Sequence, residues 1–434
     1  MIPNLPTLPI SITEVEQILK RLDDWLFKCT WDEAVRAQAQ AKQDPVTYEF
    51  LARLYRNHPM LTVNGVAFPT IVMCAPESQW DNPESVLIQP LGAETYDCDS
   101  LRTKGARYLE TLERLSKIIV RAEDGREHRL LRFYDGTGYR MLAMKTSGIL
   151  QLECCRGWYY DQISTCDSLR WELLTAIGRM TSEEKEKLLL QRFPLRAMAH
   201  SIANDPIVDG HGRSANIGIS TLVVFNDGEG YSTFVRERSK QVAVYRDDLH
   251  VIPSFMFEPE AGDVKNEYSV GHNVFREYLE ELFNKRELES PPATAAFDWF
   301  YDRYPDLQFL FRLLDNRDEA ELLFTGLAVD LFSLRPEILT LLLIKSPEWW
   351  ENHKGGNRGK QLSHIEVNYE FKTQRELSQE RRDIIVKVKL NSALLPQTTE
   401  AWSTYLADRS RWVPPGAAAF YLGLEVARKK LGIL

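Results

Sequence analysis

Apolar positions recur at helical spacing near the start of the chain. Ile12, Val15, Ile18, Leu19 and Leu22 keep that spacing, and Ser11 or Thr13 stands where a cap would, which predicts helices over 12–57. From Phe68 the pattern shortens. Phe68 to Met73 and Val86 to Gln89 are apolar runs of strand length. Leu101 to Leu115 returns to helical spacing. Ile118 to Val120, Leu130 to Tyr134 and Tyr139 to Met144 read as strands, separated by Asp124-Gly125 and Asp135-Gly136, dipeptides that favour tight turns. Ser168 to Ile177 and Ser182 to Leu190 predict helices. These elements form an N-terminal α+β domain, residues 1–195.

The second half, 196–434, opens on a loop signal, Asp209-Gly210-His211-Gly212-Arg213. Ile217 to Phe225 predicts a strand, Asp227-Gly228-Glu229-Gly230 a hairpin turn, and Tyr231 to Arg238 the returning strand. Val242 to Tyr245 and Val251 to Ile252 predict short strands, with Pro253 closing the second. Beyond residue 285 comes a helical insertion, about 285–320, with Pro291-Pro292 and a helix from Thr294 to Tyr304. Gly326 to Asp330 and Leu339 to Ile344 resume strand character. Lys354 to Lys360 is a basic, glycine-rich loop without the Lys-Ser/Thr ending of a nucleotide-binding phosphate loop, and reads as exposed. Pro414-Pro415-Gly416 starts an apolar closing helix, Ala417 to Ala427.

The most informative stretch is Arg276-Glu277-Tyr278-Leu279-Glu280-Glu281. At ~100° per residue, Glu277, Glu280 and Glu281 share one helix face. Phe275, Leu279 and Leu282 share the opposite face, with Tyr278 at its border. The bland reading is a solvated acidic surface. The functional one is a carboxylate cluster, which repels itself and so calls for a hard cation. Oxygen-only ligands point to Mg²⁺ or Mn²⁺.

This stretch resembles the Nudix box: Gly, five residues, Glu, seven residues, then Arg-Glu-apolar-any-Glu-Glu-any-Gly-apolar. Gly262 matches the first glycine, and Arg276, Glu277, Tyr278, Glu280 and Glu281 match the central run. Tyr268 replaces the first glutamate, with Glu267 adjacent, and Phe283 and Asn284 replace the closing Gly-apolar pair. Upstream, Ser254-Phe255 stand where the family has glycines. The resemblance covers roughly 213–434, with motif-grade matches only in 262–281. It implies an α/β/α sandwich with a mixed sheet, following the N-terminal domain. It also implies metal held by Glu277, Glu280 and Glu281, with Arg276 orienting them and Glu267 standing in for the missing loop glutamate.

Composition leaves this picture standing. The 434 residues are 44% apolar and 26% charged, with a net charge of −9. No Lys/Arg block suggests extended nucleic acid or membrane binding. Six cysteines lie in the first half without metal-ligand spacing, which with the lack of a signal-like N-terminus suggests a cytoplasmic protein. Trp158, Tyr159 and Tyr160 read as core aromatics.

A diphosphate resists water because its oxygens repel a nucleophile, and a divalent metal relieves that repulsion. The expected reaction is metal-dependent hydrolysis of a nucleoside diphosphate derivative. Glu277 also serves in proton transfer. Arg236 and Arg238, ending the second strand, are candidates to receive phosphate oxygens, and His250 to contact the substrate. The other class is a nucleotide-sensing or regulatory protein on a catalytically weakened domain, with a homo-oligomer compatible with either. A coincidental box on a structural protein is the third reading.

Overall fold

The computed structural model describes residues 30–88, 98–116, 119–121, 127–129, 135–238, 245, 247–260, 263, 265–285, 288, 296–355, 362–365, 384–397 and 400–433. The helical pattern over 12–29, the runs at 130–134 and 242–244, Gly262, Pro291-Pro292 and most of the basic loop lie outside the described residues.

The helices that matter here are α1 (Trp31–Gln43), α2 (Pro45–Leu54), α3 (Asp99–Ser116), α4 (Ser168–Arg179), α5 (Pro194–Ile202), α6 (Val270–Glu277), α7 (Pro305–Leu314) and α8 (Pro414–Lys430). The strands are β1 (Met60–Val63), β2 (Val66–Cys74), β3 (Ile119–Arg121), β4 (Glu127–Arg129), β5 (Thr137–Lys145), β6 (Gln151–Trp158), β7 (Gly218–Asn226), β8 (Tyr231–Glu237), β9 (Leu249–His250), β10 (Ser254–Met256), β11 (Ala320–Asp330), β12 (Arg335–Ile344), β13 (Ile384–Leu390) and β14 (Pro396–Gln397). The class is α+β with a mixed sheet.

One sheet runs in the order β1-β2-β11-β12-β7-β8-β13-β14, with β10 paired to β7 and β9 to β8. The β12–β7 pairing is parallel, Glu337 opposite Gly218 through Ile344 opposite Phe225, and the other pairings are antiparallel. β2 of the first half hydrogen-bonds β11 of the second, from Cys74 opposite Gly326 to Thr70 opposite Asp330. The pairs β3–β4 and β5–β6 stand apart as two-stranded sheets.

Strand side chains alternate between faces, and the central strands carry apolar residues at both parities. Leu222, Val224, Leu341 and Leu343 enter one core together with Ala417, Phe420 and Leu424 of α8. Their neighbours Val223, Phe225, Leu342 and Ile344 enter a second core with Tyr278, Leu279, Leu282, Trp349 and Trp350. This two-sided burial explains why the runs at 217–225 and 339–344 read as continuous rather than alternating.

Several expectations are corrected. The run Val86 to Gln89, of which Gln89 lies outside the described residues, does not form a strand over 86–88: Pro83–Val86 is a 3₁₀ turn, and Leu87 makes a single bridge to Leu152. Pro83 pre-sets the turn. The helix expected over 182–190 ends at Glu186. Residues 297–303 form successive turns rather than a helix, and Pro305 starts α7 instead. The residue before a proline resists helical backbone, and Phe300 and Tyr304 are buried by the turns. Val251–Ile252 lies between β9 and β10 rather than forming a strand. Trp158 is 44% exposed, so the 158–160 trio is not wholly core.

Candidate functional site

The acidic stretch begins on α6. Ser269 caps the helix, its side chain accepting from His272 N. A second cap comes from far away. The Glu84 carboxylate accepts from Ser269 Oγ (2.9 Å), Val270 N (2.9 Å) and Gly271 N (2.7 Å). Val270 N and Gly271 N are first-turn donors with no partner inside the helix, and a negative charge there also suits the helix dipole.

The apolar face is as the spacing predicts. Leu279 and Leu282 are buried with Tyr278, whose Oη accepts from Trp349 Nε1 at 2.9 Å, and Phe275 meets Phe311 edge-on at 4.9 Å. The helix itself departs from expectation. It is α-helical to Glu277 and π-helical from Tyr278 to Leu282, where Asn284 follows with φ 56°. A π turn holds one more residue than an α turn, so the three carboxylates do not fan out as an unbroken α-helix would place them.

Arg276, 2% exposed, lies at the centre. Its Nη2 donates to Glu277 Oε1 (3.1 Å) and Asn273 Oδ1 (3.2 Å), and Nη1 donates to the Glu258 carbonyl (3.3 Å). Burial works against its charge, but Glu277, Glu260, Glu280 and Glu258 outweigh it and raise its pKa above the ordinary value. The carboxylates feel each other. Burial pushes Glu277 up to about 7, opposed by Arg276 and assisted by Glu281 and Glu260. Burial, then Glu260, pushes Glu258 up to about 8, with Glu277 adding to the rise.

Glu281 is held differently. Its Oε1 accepts from Arg236 Nη1 at 2.6 Å and its Oε2 from Ser254 N at 2.7 Å. Arg236 Nη2 completes the arrangement on Ser254 O (2.8 Å) and Ser254 Oγ (2.6 Å). β8 thereby carries the arginine, and β10 the serine, that fix the end of the acidic helix. Ser254, one of the residues replacing the expected glycines, is a working part of the site.

Glu267, expected as a metal ligand, braces the loop before α6, accepting from Glu260 N (2.8 Å) and Asp263 N (3.0 Å). Tyr268 beside it stacks on Phe257 at 5.5 Å and donates to Ile88 O at 2.7 Å. His250 is buried, paired with Arg236 across the β8–β9 ladder. Its ring fills the space a Cβ on Gly416 would need, 2.8 Å from Nδ1, and Nε2 lies 4.0 Å from Glu337 Oε1. Burial, with Arg236 and Arg238 nearby, holds its imidazole well below the usual pKa and therefore neutral. Arg238 adjoins this His250–Glu337 corner as well. A cavity of about 10 Å³ beside Arg276, bordered by Glu260, Glu267 and His272, has room for one water.

Glu277, Glu280 and Glu281 thus come near Arg276, Glu258 and Glu260, and Arg236 joins through Glu281. The donor set suits a hard cation in its chemistry: oxygen atoms only, with more negative charge than Arg236 and Arg276 neutralise. Its arrangement does not yet gather them, since among the described residues no three His, Cys, Asp or Glu side chains are grouped to hold an ion. Glu277 and Glu280 are the residues that would hold one, with Glu281 joining only on leaving Arg236. Sequence reasoning missed Glu258, Glu260, Ser254 and Glu84. The acidic pair just before the box was visible, but its return onto Arg276 was not.

No protein-family model and no curated protein matches this chain. Among the described residues, no helix is long and apolar enough to cross a membrane.

Proposed function

We propose that residues 213–434 form a Nudix-like domain that takes a nucleoside diphosphate derivative at the Arg276 cluster and hydrolyses its pyrophosphate bond with Mg²⁺ or Mn²⁺. The observation that carries this reading is the convergence of Glu258, Glu260, Glu277 and Glu280 on one buried arginine, with Glu277 and Glu258 pushed towards neutral pH. Buried carboxylates that cannot all ionise are relieved by a cation. A bound divalent ion would neutralise phosphate charge and polarise the phosphate oxygens. The protein's own groups do the rest. Arg276 fixes the Glu277 carboxylate by a charge-assisted bond. Glu277, near pH 7, takes or gives a proton at working pH. Arg236, once freed from Glu281, offers a planar fork to a phosphate.

A second reading is ligand sensing without turnover. It is favoured by the double engagement of Glu281 and the double engagement of Glu267. A panel of nucleoside diphosphate derivatives with Mg²⁺ separates the two. Hydrolysis predicts phosphate-containing products from at least one compound, lost in Glu280→Gln. Sensing predicts a rise in melting temperature and no product. Neither product nor thermal shift would overturn both readings.

A further inference from the structure

A second cavity, of about 400 Å³, shares no residue with the Arg276 cluster. Its walls carry the rings of Tyr108, Trp171 and Tyr245, the cations Lys42, Arg170 and Arg411, and the carboxylates of Asp247 and Asp248. That volume falls in the range of small-molecule sites. Tyr108 and Trp171 lie 5.5 Å apart at 33°, and the Arg170 guanidinium sits over the Tyr245 ring at 4.4 Å. Tyr245 is itself pinned, its hydroxyl donating to Asp330.

Two of the three cations have hydrogen-bond partners on the protein. Lys42 is spent on Asp248, at 2.6 Å and 2.7 Å to its two oxygens. Arg411 donates to Tyr405 Oη. Arg170 is only 7% exposed, and its Nε finds no acceptor. Among the described residues its guanidinium makes neither a hydrogen bond nor an ion pair. Of the nearby carboxylates, Asp248 is held by Lys42, and Asp167 accepts from Gln162 Nε2 at 2.9 Å through Oδ2, while its buried Oδ1 makes no hydrogen bond to Arg170 or to any other described group. A buried guanidinium without acceptors is costly, and an anion entering the cavity would satisfy it. The ring walls would take the anion's flat body. The open side is bordered by the exposed Val35, Ala39 and Gln43 of α1.

We infer that this cavity binds a small aromatic or heteroaromatic molecule bearing one phosphate or carboxylate, with Arg170 holding the anionic group and Tyr108, Trp171 and Tyr245 holding the ring. Stacking and a charge-assisted bond are both needed, so neither half of such a ligand suffices.

The test is titration calorimetry of the full chain in EDTA with AMP, salicylate, adenosine and inorganic phosphate. AMP or salicylate is expected to bind with Kd below ~1 mM, and adenosine and phosphate at least about tenfold more weakly. The phosphate and carboxylate arms tell the two anion types apart. Arg170→Gln, checked for folding by near-UV circular dichroism, should weaken binding by at least about tenfold. Ala39→Trp, an exposed helix position, should block the mouth and do the same without touching the core. Absence of binding by both aromatic anions overturns the proposal. So does binding retained in either folded variant, which would place the ligand elsewhere, the Arg276 cluster included. Equal binding of adenosine or phosphate alone overturns it too.

Discussion

At the scale of single residues, the site is a problem of excess negative charge. Glu258, partly buried, has a pKa of about 8 against an ordinary 4.5. Between those values the folded chain keeps a proton that the unfolded chain has lost, so stability falls as pH rises across that window. Glu258→Gln has no such proton to lose. In EDTA, urea unfolding should show the variant equal to the parent at pH 4.5 and more stable by about 1–2 kcal/mol at pH 9, a figure discounted for partial solvation. Equal curves at both pH values would count against the crowding of carboxylates. Glu281 shows the opposite condition. Its pairing with Arg236 is nearly dry, at 18% and 6% side-chain exposure. Breaking such a pair leaves a stranded charge. Arg236→Met should therefore cost ~3–5 kcal/mol, and Arg236→Met with Glu281→Leu should recover most of that in a double-mutant cycle by urea unfolding.

At the scale of elements, the acidic helix is positioned from both ends by parts of the chain distant in sequence. Its first turn is capped by Glu84, and its far end is held through the Glu281 carboxylate by Arg236 and Ser254. Glu84→Ala removes three hydrogen bonds, two of them at first-turn N–H groups that have no intrahelical partner. A loss of about 1–2 kcal/mol by thermal or urea unfolding is expected, with faster amide exchange over 270–277 than elsewhere in the chain. The order of elements around the box was legible. The strands at 218–226 and 231–237, the helix carrying Arg276, the long strands ending at 330 and 344, and the closing helix all follow from periodicity and turn residues. The apolar face of the box helix was legible for the same reason. Its finer geometry was not. The π turn over 278–282 is a local rearrangement that lets Tyr278 reach Trp349 while Glu281 reaches Arg236, and residue spacing alone assumes an unbroken α-helix. Glu84 lies 186 residues from Val270, and no local pattern announces that contact.

At the scale of the whole molecule, the sheet is built from both halves of the chain. β2 covers the outer edge of β11, and Lys42 of α1 donates to both carboxylate oxygens of Asp248. A fragment spanning 196–434 would bare the β11 edge and the apolar side of α8 that packs on β2. It should express as insoluble or loosely packed material, shown by lost near-UV circular dichroism and dye binding, whereas the full chain should not. Such pairing was beyond the reach of the sequence because the partners are about 250 residues apart and no local pattern links them. The central claim concerns charge: that the Arg276 cluster, with its carboxylates partly protonated when empty, accepts a divalent cation. Calorimetric titration of Mn²⁺ near pH 7 in buffers of different ionisation enthalpy reads both binding and proton release. Binding is expected with release of up to about one proton per ion, weakened in Glu277→Gln and Glu280→Gln. Absence of Mn²⁺ binding, or binding untouched by both substitutions, would contradict that claim.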